Sequence, residues 1–443
     1  MYRLGWFLGT GFGIQPWNPM ADGPFTGSNV HDWMKADLYV DLARSVERAG
    51  FDFLLVEDTS QIDDSFRGSA ETTLKFGLFA PKNDPLPLVP LMAAQTRHIG
   101  IVPTITTAFY PPYLAARLAT TLDHLTGGRI GINLVTSGSR EAWQNYGYDD
   151  ILPKEDRYRM ANECADVFTR LQTSWDPDAV RADVDNMFYA DHTKVHRLDH
   201  KGEFFKVRGA LNTIPGPQRN VPFIEAGNSP AGRDLAARYG NAIIAQCWTV
   251  EEMKAFRADM HARMEAVGRN PGDMKVMFLA QPLIAGTDAE ALRRKEEHDK
   301  WRWTENGIES MLWYFEHVSG IDFGSLDQNK TIRELMEDPQ AMPETMSVFA
   351  KMMKGQEEKT LREVAATRNH DVDLGMIGSP LTVANRMDEI MEEVGGDGFL
   401  FWLPMTRHAI AEMCDGVAPI LQKRGSIRSH FSHATLRENL LSF

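Results

Sequence analysis

Eight short apolar segments alternate with amphipathic segments along this chain, and the alternation predicts parallel strands joined by helices. The unit from Ile99 to Thr136 is the clearest example. Ile99–Thr107 is mostly β-branched and apolar without polar alternation, which is typical of a strand buried on both faces. Pro111–Pro112 then begins a helical pattern that ends at Gly127–Gly128, and a second buried strand is predicted at Arg129–Thr136.

The rest of the chain repeats this pattern. Six further apolar runs predict strands at Arg3–Leu8, Phe51–Val56, Val221–Ala226, Asn241–Gln246, Lys275–Ile284 and Gly398–Trp402. Helical spacing occurs at Met34–Gly50, Arg157–Thr173, Pro230–Tyr239, Glu251–Val267, Asp288–Trp303, Pro380–Val394 and Thr406–Val417. Eight strands alternating with helices predict an α/β fold, a TIM (β/α)8 barrel forming one domain over residues 1–443.

Three segments interrupt the pattern and are predicted to be insertions. Residues 138–156 are irregular, and residues 174–220 are rich in loops, with a predicted hairpin around His200–Gly202. Residues 304–370 are rich in methionine, tryptophan and charge without strand signals, so we predict a helical insertion there and interpret it as a candidate lid.

Composition limits the classes of ligand and location. The formal charge of −14 disfavours a nucleic-acid partner or an anionic membrane surface, so the expected ligand is a small molecule. The three cysteines form no CxxC pair, which favours a reducing compartment without structural zinc. The amino terminus lacks a signal-peptide pattern and no apolar run approaches ~18 residues, so we predict a cytoplasmic protein.

Polar residues gather where the predicted strands end. Glu57 and Asp58 follow the second strand, Thr104 lies in the third, and Asn133 and Thr136 lie in the fourth. The carboxyl ends of barrel strands carry the ligand site of such folds, which makes these residues site candidates. Threonine is also a good strand former and an acidic residue can cap a helix, so a purely structural role stays open for each of them.

A glycine-rich turn after the fifth strand gives the strongest local signal for a phosphate. Gly227 and Asn228 precede Ser229, which is suited to cap the next helix, and Pro230 fits the helix's first position. We also expect Tyr158 in the first turn of its helix, where backbone N–H groups favour an anion. The earlier cluster Gly9–Gly13 runs into a proline-rich loop and is read as an ordinary loop.

A set of short motifs occurs in order along nearly the whole chain: Ala80–Leu86, Thr104–Thr107, Tyr110–Tyr113, Thr121–Thr126, Gly128–Ile130, Asn133–Ser137, Asp156–Tyr158, Lys194–His196, Ala226–Ser229, Gly378–Pro380 and Gly396–Phe399. These motifs resemble the nitrilotriacetate monooxygenase family of bacterial-luciferase-like flavin enzymes, which includes alkane and dibenzothiophene-sulfone monooxygenases. Each motif is weak alone, but the ordered set is specific.

The resemblance implies a barrel that binds reduced FMN (FMNH2) from a separate NAD(P)H:flavin reductase and uses O2 to oxygenate a small organic substrate. Glu57 and Asp58 would lie near the isoalloxazine. Three residues would bond the ring or ribityl chain: Thr104, Asn133 and Thr136. Four would hold the phosphate: Tyr158, Gly227, Asn228 and Ser229. We expect a homodimer or homotetramer.

One departure from the family pattern concerns Gly138. Several relatives carry a histidine there, proposed as an acid/base group, so no catalytic residue is assigned in this chain. His124 and His196 lie in family motifs, but histidines in such places are more often structural. Gly138 is small, and Phe12 and Trp17 of the first loop are apolar, so together they predict an open apolar pocket. The expected substrate is largely apolar, and sulfur- or nitrogen-containing compounds are one option.

Two other functions remain open at this point. The same superfamily performs deazaflavin-dependent oxidoreduction on a similar barrel, and a non-catalytic flavin-binding protein would keep the phosphate turn. A metal-dependent hydrolase is disfavoured because no HxH or HExxH pair occurs, and no metal is expected.

Overall fold

The computed structural model describes residues 1–9, 34–337, 349–350, 352–367 and 373–442. The strands of this part are β1 Arg3–Leu8, β2 Phe53–Val56, β3 Gly100–Thr106, β4 Ile132–Val135, β5 Val180–Asp183, β6 Phe188–Ala190, β7 Arg197–Lys201, β8 Lys206–Gly209, β9 Phe223–Ala226, β10 Gly240–Ala245, β11 Lys275–Ala280, β12 Leu283–Ile284, β13 Ile377–Gly378 and β14 Gly398–Phe401.

Eight of these strands close into a parallel barrel in the order β1-β14-β11-β10-β9-β4-β3-β2. The predicted TIM barrel is therefore confirmed, and its strands are the eight apolar segments. The other six strands form three two-stranded sheets: β5 with β6, β7 with β8, and β12 with β13.

Helices connect the barrel strands and cover them. Their bounds are Ala36–Arg48, Glu71–Phe76, Pro85–Ala93, Pro112–Thr126, Arg140–Asn145, Lys154–Gln172, Pro230–Tyr239, Val250–Ala266, Asp288–Arg302, Glu305–Ser319, Ile332–Met336, Leu361–Thr367, Pro380–Val394, Arg407–Ala411, Ala418–Arg424 and Leu436–Leu441. No helix in the described part of the chain has both the length and the apolar character needed to cross a membrane.

Apolar side chains fill the barrel, and the last helix closes its amino-terminal end. Phe53, Val102 and Met277 belong to the interior cluster, which also contains Leu436 and Leu440 of the final helix. A Cβ at Gly100 would lie only 2.4 Å from Leu436. Glycine at the start of β3 thus gives this helix room to plug the barrel.

A buried ion cluster fixes the same end of the molecule. Arg428 donates to Asp52 at 2.6 Å and to the Asn439 carbonyl at 2.8 Å. Arg3 donates to the Leu440 carbonyl at 2.9 Å and lies 3.6 Å from Asp52. These bonds join the first strand to the carboxyl-terminal segment.

The predicted insertion at 304–370 is helical in its described residues. Its helices form a second hydrophobic core together with Phe66, which lies in the segment after β2. Two polar contacts tie the insertion to that segment: Trp313 Nε1 donates to Thr73 Oγ1 at 2.8 Å, and His317 Nδ1 lies 2.8 Å from Asp63. We call these two contacts the joint.

Several predicted elements have different bounds in the structure. The predicted strand Lys275–Ile284 ends at Ala280 in the barrel, and Leu283–Ile284 pairs with β13 instead. The predicted helix Thr406–Val417 becomes π-helical from Glu412 to Val417. The predicted hairpin around His200–Gly202 is present as β7 and β8.

Candidate active site

Thr104 and Asn133 lie opposite each other on neighbouring barrel strands and are hydrogen bonded. The pair is in register between β3 and β4, and Asn133 Nδ2 donates to Thr104 Oγ1 at 2.8 Å. Thr104 in turn donates its hydroxyl proton to the Val56 carbonyl at 2.7 Å. Because that proton is already engaged, Asn133 must present its NH2 group to Thr104, so the orientation of the amide is fixed.

The other end of the Asn133 amide has no hydrogen-bond partner among the described residues. Its Oδ1 is buried and accepts no hydrogen bond from the described residues. Gly131 precedes Asn133 by two residues and so points to the same side, and a Cβ built at Gly131 would be 3.1 Å from Val102 of the barrel interior. A buried acceptor without a donor is costly unless a ligand supplies the donor. This atom fits a ring N–H such as that of an isoalloxazine.

A second polar pair unites residues that are far apart in sequence. The Tyr158 hydroxyl lies 3.0 Å from Ser229 Oγ. Ser229 caps the helix Pro230–Tyr239 as the sequence predicted, because its side chain accepts from the Gly232 N–H at 3.2 Å and Pro230 holds the first helical position. Two hydroxyl groups at a helix amino terminus are suited to a phosphate. We call this pair the clamp.

The prediction for the helix that carries Tyr158 was wrong in one respect. The helix begins at Lys154 after Pro153, so Tyr158 lies in the second turn and not in the first. Tyr158 therefore contributes its hydroxyl group to the clamp, and not a free backbone N–H.

Gly227 and Asn228 shape the turn that leads into the clamp. A Cβ at Gly227 would be 3.4 Å from the Gly232 Cα, so the backbone packs closely there. Asn228 donates to the Gln246 carbonyl at 2.7 Å and accepts from the Gln246 N–H at 3.2 Å. The Asn228 side chain thus links the end of β9 to the end of β10. Because both ends of its amide are engaged in this way, its role is to shape the turn.

Glu57 and Asp58 lie at the end of β2, next to a lysine that the sequence did not single out. Lys82 forms an ion pair with Glu57 at 2.5 Å, and its side chain is only 5% exposed. The pKa of Asp58 is raised to about 6, mainly by burial and also by the charges of Glu57 and Asp84, whereas Lys82 and the Ser60 hydroxyl oppose the shift. Asp58 therefore changes protonation close to neutral pH.

Thr136 and Gly138 follow β4, and an arginine stands beside them. Thr136 is half-buried, and Gly138 is exposed. Arg157 donates to the Ser137 carbonyl, and within the described part of the chain its Nη1 is the one atom within 4.0 Å of a Cβ built at Gly138. The described residues therefore leave room for a side chain at position 138, and the open pocket stays a prediction. Burial lowers the pKa of Arg157.

The remaining predicted residues divide into two groups. Phe12 and Trp17 lie outside the described residues. The two motif histidines are exposed: His124 contacts the Ile214 carbonyl at 3.1 Å, and His196 contacts Asp176 at 3.0 Å.

Sequence reasoning also missed Glu225, which lies on β9 and is fully buried with a pKa raised well above its usual value by desolvation. Its neighbour Ile224 belongs to the barrel interior, so alternation directs Glu225 towards the helices. Its position near the end of a strand could have marked it as a site candidate in the sequence. Its side chain, however, faces away from the carboxyl-terminal end of the barrel, which we call the mouth.

The donor set suits an organic cofactor. In the described part of the chain, no group of three histidine, cysteine or acidic side chains is placed to hold a metal ion. The orphaned Asn133 oxygen, the clamp and the close Gly227 turn instead offer hydrogen-bonding partners for a ring and a phosphate. β9 pairs with β4, so the clamp follows the strand next to Asn133.

Comparisons with known proteins agree with this picture. Residues 14–426 match the family model for luciferase-like monooxygenases. The chain is 31% identical over 410 residues to the dimethyl-sulfide monooxygenase of Hyphomicrobium sulfonivorans, covering 91% of this chain and 83% of that enzyme. It is 31% identical over 417 residues to the dibenzothiophene-sulfone monooxygenase of Rhodococcus erythropolis, covering 93% and 90%.

A solved structure shows the same architecture with a flavin. The crystal structure of riboflavin lyase with a modified FMN and the substrate riboflavin superposes with a TM-score of 0.83 at 28% identity, covering 100% of this chain and 96% of that chain.

Proposed function

This chain belongs to the luciferase-like monooxygenase family, and we propose that it oxygenates a small organic substrate with reduced FMN and O2. The observation that carries the proposal is the buried, unpartnered Asn133 oxygen on the strand beside the clamp. The Asn133 oxygen can accept a hydrogen bond from an N–H group, and the clamp can bind an anion. FMN has both a ring N–H group and a phosphate. Relatives at about this identity are named monooxygenases, which favours this function over deazaflavin chemistry and over a non-catalytic role.

The proposed roles of the site residues follow from their contacts. Asn133 accepts a hydrogen bond from the ring, and Thr104 orients it. Glu57, Asp58 and Thr136 border the ring and ribityl chain, since they lie at the ends of β2 and β4. The phosphate is held by the hydroxyl groups of Tyr158 and Ser229, at the turn that Gly227 and Asn228 shape. The bound flavin supplies the two electrons and activates O2, while the protein positions the substrate and excludes water.

We further propose that the reduced flavin comes from a separate NAD(P)H:flavin reductase. No dinucleotide-binding turn was identified in the sequence, so the chain by itself has no recognised means of using NADH. A homodimer or homotetramer stays part of the proposal.

Reconstitution tests this proposal. The purified protein is supplied with FMN, NADH and an unrelated flavin reductase, and the oxidised products of apolar sulfur- and nitrogen-containing candidates are followed by mass spectrometry with 18O2. One labelled oxygen atom in the product is expected, with no NADH consumption when the reductase is omitted. Rapid NADH oxidation by the protein alone would contradict the two-component arrangement.

A further inference from the structure

A chain of hydrogen bonds connects the carboxyl group of Asp58 to the protein surface. Ser60 Oγ donates to Asp58 Oδ2 at 3.4 Å, and the Tyr146 hydroxyl donates to Ser60 Oγ at 3.3 Å. Tyr146 is 45% exposed, so its hydroxyl group can exchange protons with water. The three groups form a path from solvent to a carboxyl group at the end of β2, and we call this path the relay.

The protein holds the relay in place from two sides. Asn145 Nδ2 donates to the Ser60 carbonyl at 2.8 Å, which anchors the segment after β2 to the helix Arg140–Asn145. The Tyr146 ring stacks on Phe109 with centroids 4.1 Å apart and planes 6° apart. Tyr146 belongs to the insertion at 138–156, so this insertion supplies the outer end of the relay.

Asp58 differs from its acidic neighbour in its partners. Glu57 is paired with Lys82 at 2.5 Å, whereas the one hydrogen bond that Asp58 makes within the described part of the chain comes from Ser60. Among the described residues, the charged and titratable groups that face Asp58 are Lys82, Glu57 and Asp84, and the Tyr110 ring hydroxyl also interacts with it. Asp58 is therefore the mouth carboxyl whose proton is free to leave and return.

The site needs a proton donor other than the residue at position 138. Its glycine has no side chain to transfer a proton, and the described histidines of the family motifs are engaged elsewhere on the surface. When the flavin enters as its anion, substrate, O2, reduced flavin and one proton give oxygenated product, oxidised flavin and water. Oxygen transfer thus consumes a proton in each turnover, and the mouth of the barrel must supply it.

We propose, on the basis of the proposed function, that Asp58 delivers this proton and that Ser60 and Tyr146 reload it from solvent. The Asp58 O–H bond breaks, and the proton goes to the oxygen atom that leaves as water. The carboxylate then takes the Ser60 hydroxyl proton, Ser60 takes the proton of Tyr146, and Tyr146 is reprotonated by water. Each transfer follows the direction of a hydrogen bond already present.

The first test uses the flavin-free protein and does not depend on turnover. Infrared difference spectra over a pH titration should contain a carboxyl band that titrates near pH 6 in the wild type and is missing in Asp58→Asn. The band should remain in Tyr146→Phe. Titration of this band in the range of an exposed aspartate, about pH 4, would overturn the proposal.

The second test compares turnover of two tyrosine variants. Tyr146→Phe removes the outer group of the relay, whereas Tyr148→Phe is a matched control, because the Tyr148 hydroxyl donates to the Ala108 carbonyl at 3.1 Å and takes no part in the relay. Tyr146→Phe should lower kcat and regain it at high concentrations of a small acidic buffer. Tyr148→Phe should show neither effect, and equal behaviour of the two would overturn the relay.

The third comparison separates this proposal from the proposed function. In the wild type kcat should fall as pH rises through the pKa of Asp58, and in Asp58→Asn kcat should be about 10²-fold lower without this dependence. Normal wild-type turnover with an unchanged pH profile in Asp58→Asn would overturn the role of Asp58 alone. Failure of the wild type to bind FMN in a fluorescence titration would overturn both.

Discussion

Asn133 shows how a single residue becomes a directed binding group through its neighbours. The Thr104 hydroxyl is committed to the Val56 carbonyl, so the Asn133 amide can only turn its NH2 group towards Thr104. The buried oxygen then faces the barrel interior without a donor. Residues on β2, β3 and β4 thus fix the orientation of one acceptor, the Asn133 oxygen. A hydrogen bond from a ligand N–H would offset the free-energy cost of burying this oxygen.

The clamp yields a prediction at the same scale. Tyr158→Phe and Ser229→Ala should each weaken FMN binding by ~1–2 kcal/mol, because each removes a hydroxyl group that would bond a charged phosphate. Fluorescence titration with FMN measures the change in Kd.

Matched variants separate this effect from structural ones. Ser379→Ala removes a cap of the same kind, since Ser379 precedes Pro380 and accepts from the Thr382 N–H. Tyr113→Phe removes a hydroxyl group that bonds Asn212 outside the clamp. Both controls should leave FMN affinity unchanged. Unaltered affinity in both clamp variants would place the phosphate elsewhere.

Gly138 carries the next prediction. Gly138→His should fold and keep FMN, because among the described residues only Arg157 lies within 4.0 Å of the new Cβ. Turnover of a bulky apolar substrate should fall, since the imidazole fills the open position. Gly138→Ala adds one methyl group to the same space and should stay close to wild type. Full activity of Gly138→His with a bulky substrate, measured by product formation, would refute the open-pocket argument.

At the scale of elements, the strands were predictable because each barrel strand is a continuous apolar run, and the cap of the helix Pro230–Tyr239 was predictable from Ser229. The hairpin of β5 and β6 was missed because its residues are largely exposed and do not alternate regularly. Lys82 was missed because its partner Glu57 is 25 residues away, and no local spacing signals such an ion pair. Long-range pairing of this kind exists only after the chain has folded.

The joint permits a prediction about the insertion at 304–370. Thr73→Val keeps the shape of a side chain that is fully buried, but removes the acceptor for Trp313 Nε1 and the donor to the Asp63 carbonyl at 2.6 Å. We expect weaker docking of the insertion by ~1–3 kcal/mol and more hydrogen peroxide per NADH, because water then reaches the flavin. Peroxide is measured with the reconstituted system.

A point variant tests the candidate lid better than a deletion does, because the insertion shares a core with Phe66 and a truncation would expose that core. Thr367→Val is the control, since Thr367 bonds the Glu363 carbonyl at the exposed end of an insertion helix. Peroxide release in Thr73→Val that equals the wild-type level would argue against the lid.

At the scale of the whole molecule, the barrel separates stability from binding. The ion cluster of Arg3, Asp52 and Arg428 and the final helix close one end. The candidate site residues lie towards the other end, within β3 and β4 or after the strands. Division of this kind is general in such barrels, where residues at the amino-terminal face serve stability and those at the carboxyl-terminal face serve chemistry. The closing helix was not predicted from the sequence, because its six residues are too few for a clear period.

If stability and binding lie at opposite ends of the barrel, a variant at the closed end should change stability without changing FMN affinity. Leu440 is fully buried in the barrel interior, so Leu440→Ala should lower the free energy of unfolding by ~2–5 kcal/mol in a urea titration. Its helix packs on Gly100 at the start of β3, whereas Thr104 lies towards the other end, so the folded fraction should bind FMN with the wild-type Kd. Leu125→Ala, at a residue that is 67% exposed, should change neither quantity. A marked loss of FMN affinity in folded Leu440→Ala would show that the closing helix and the mouth are coupled through the barrel core, and the two ends would then have to be treated as one cooperative unit.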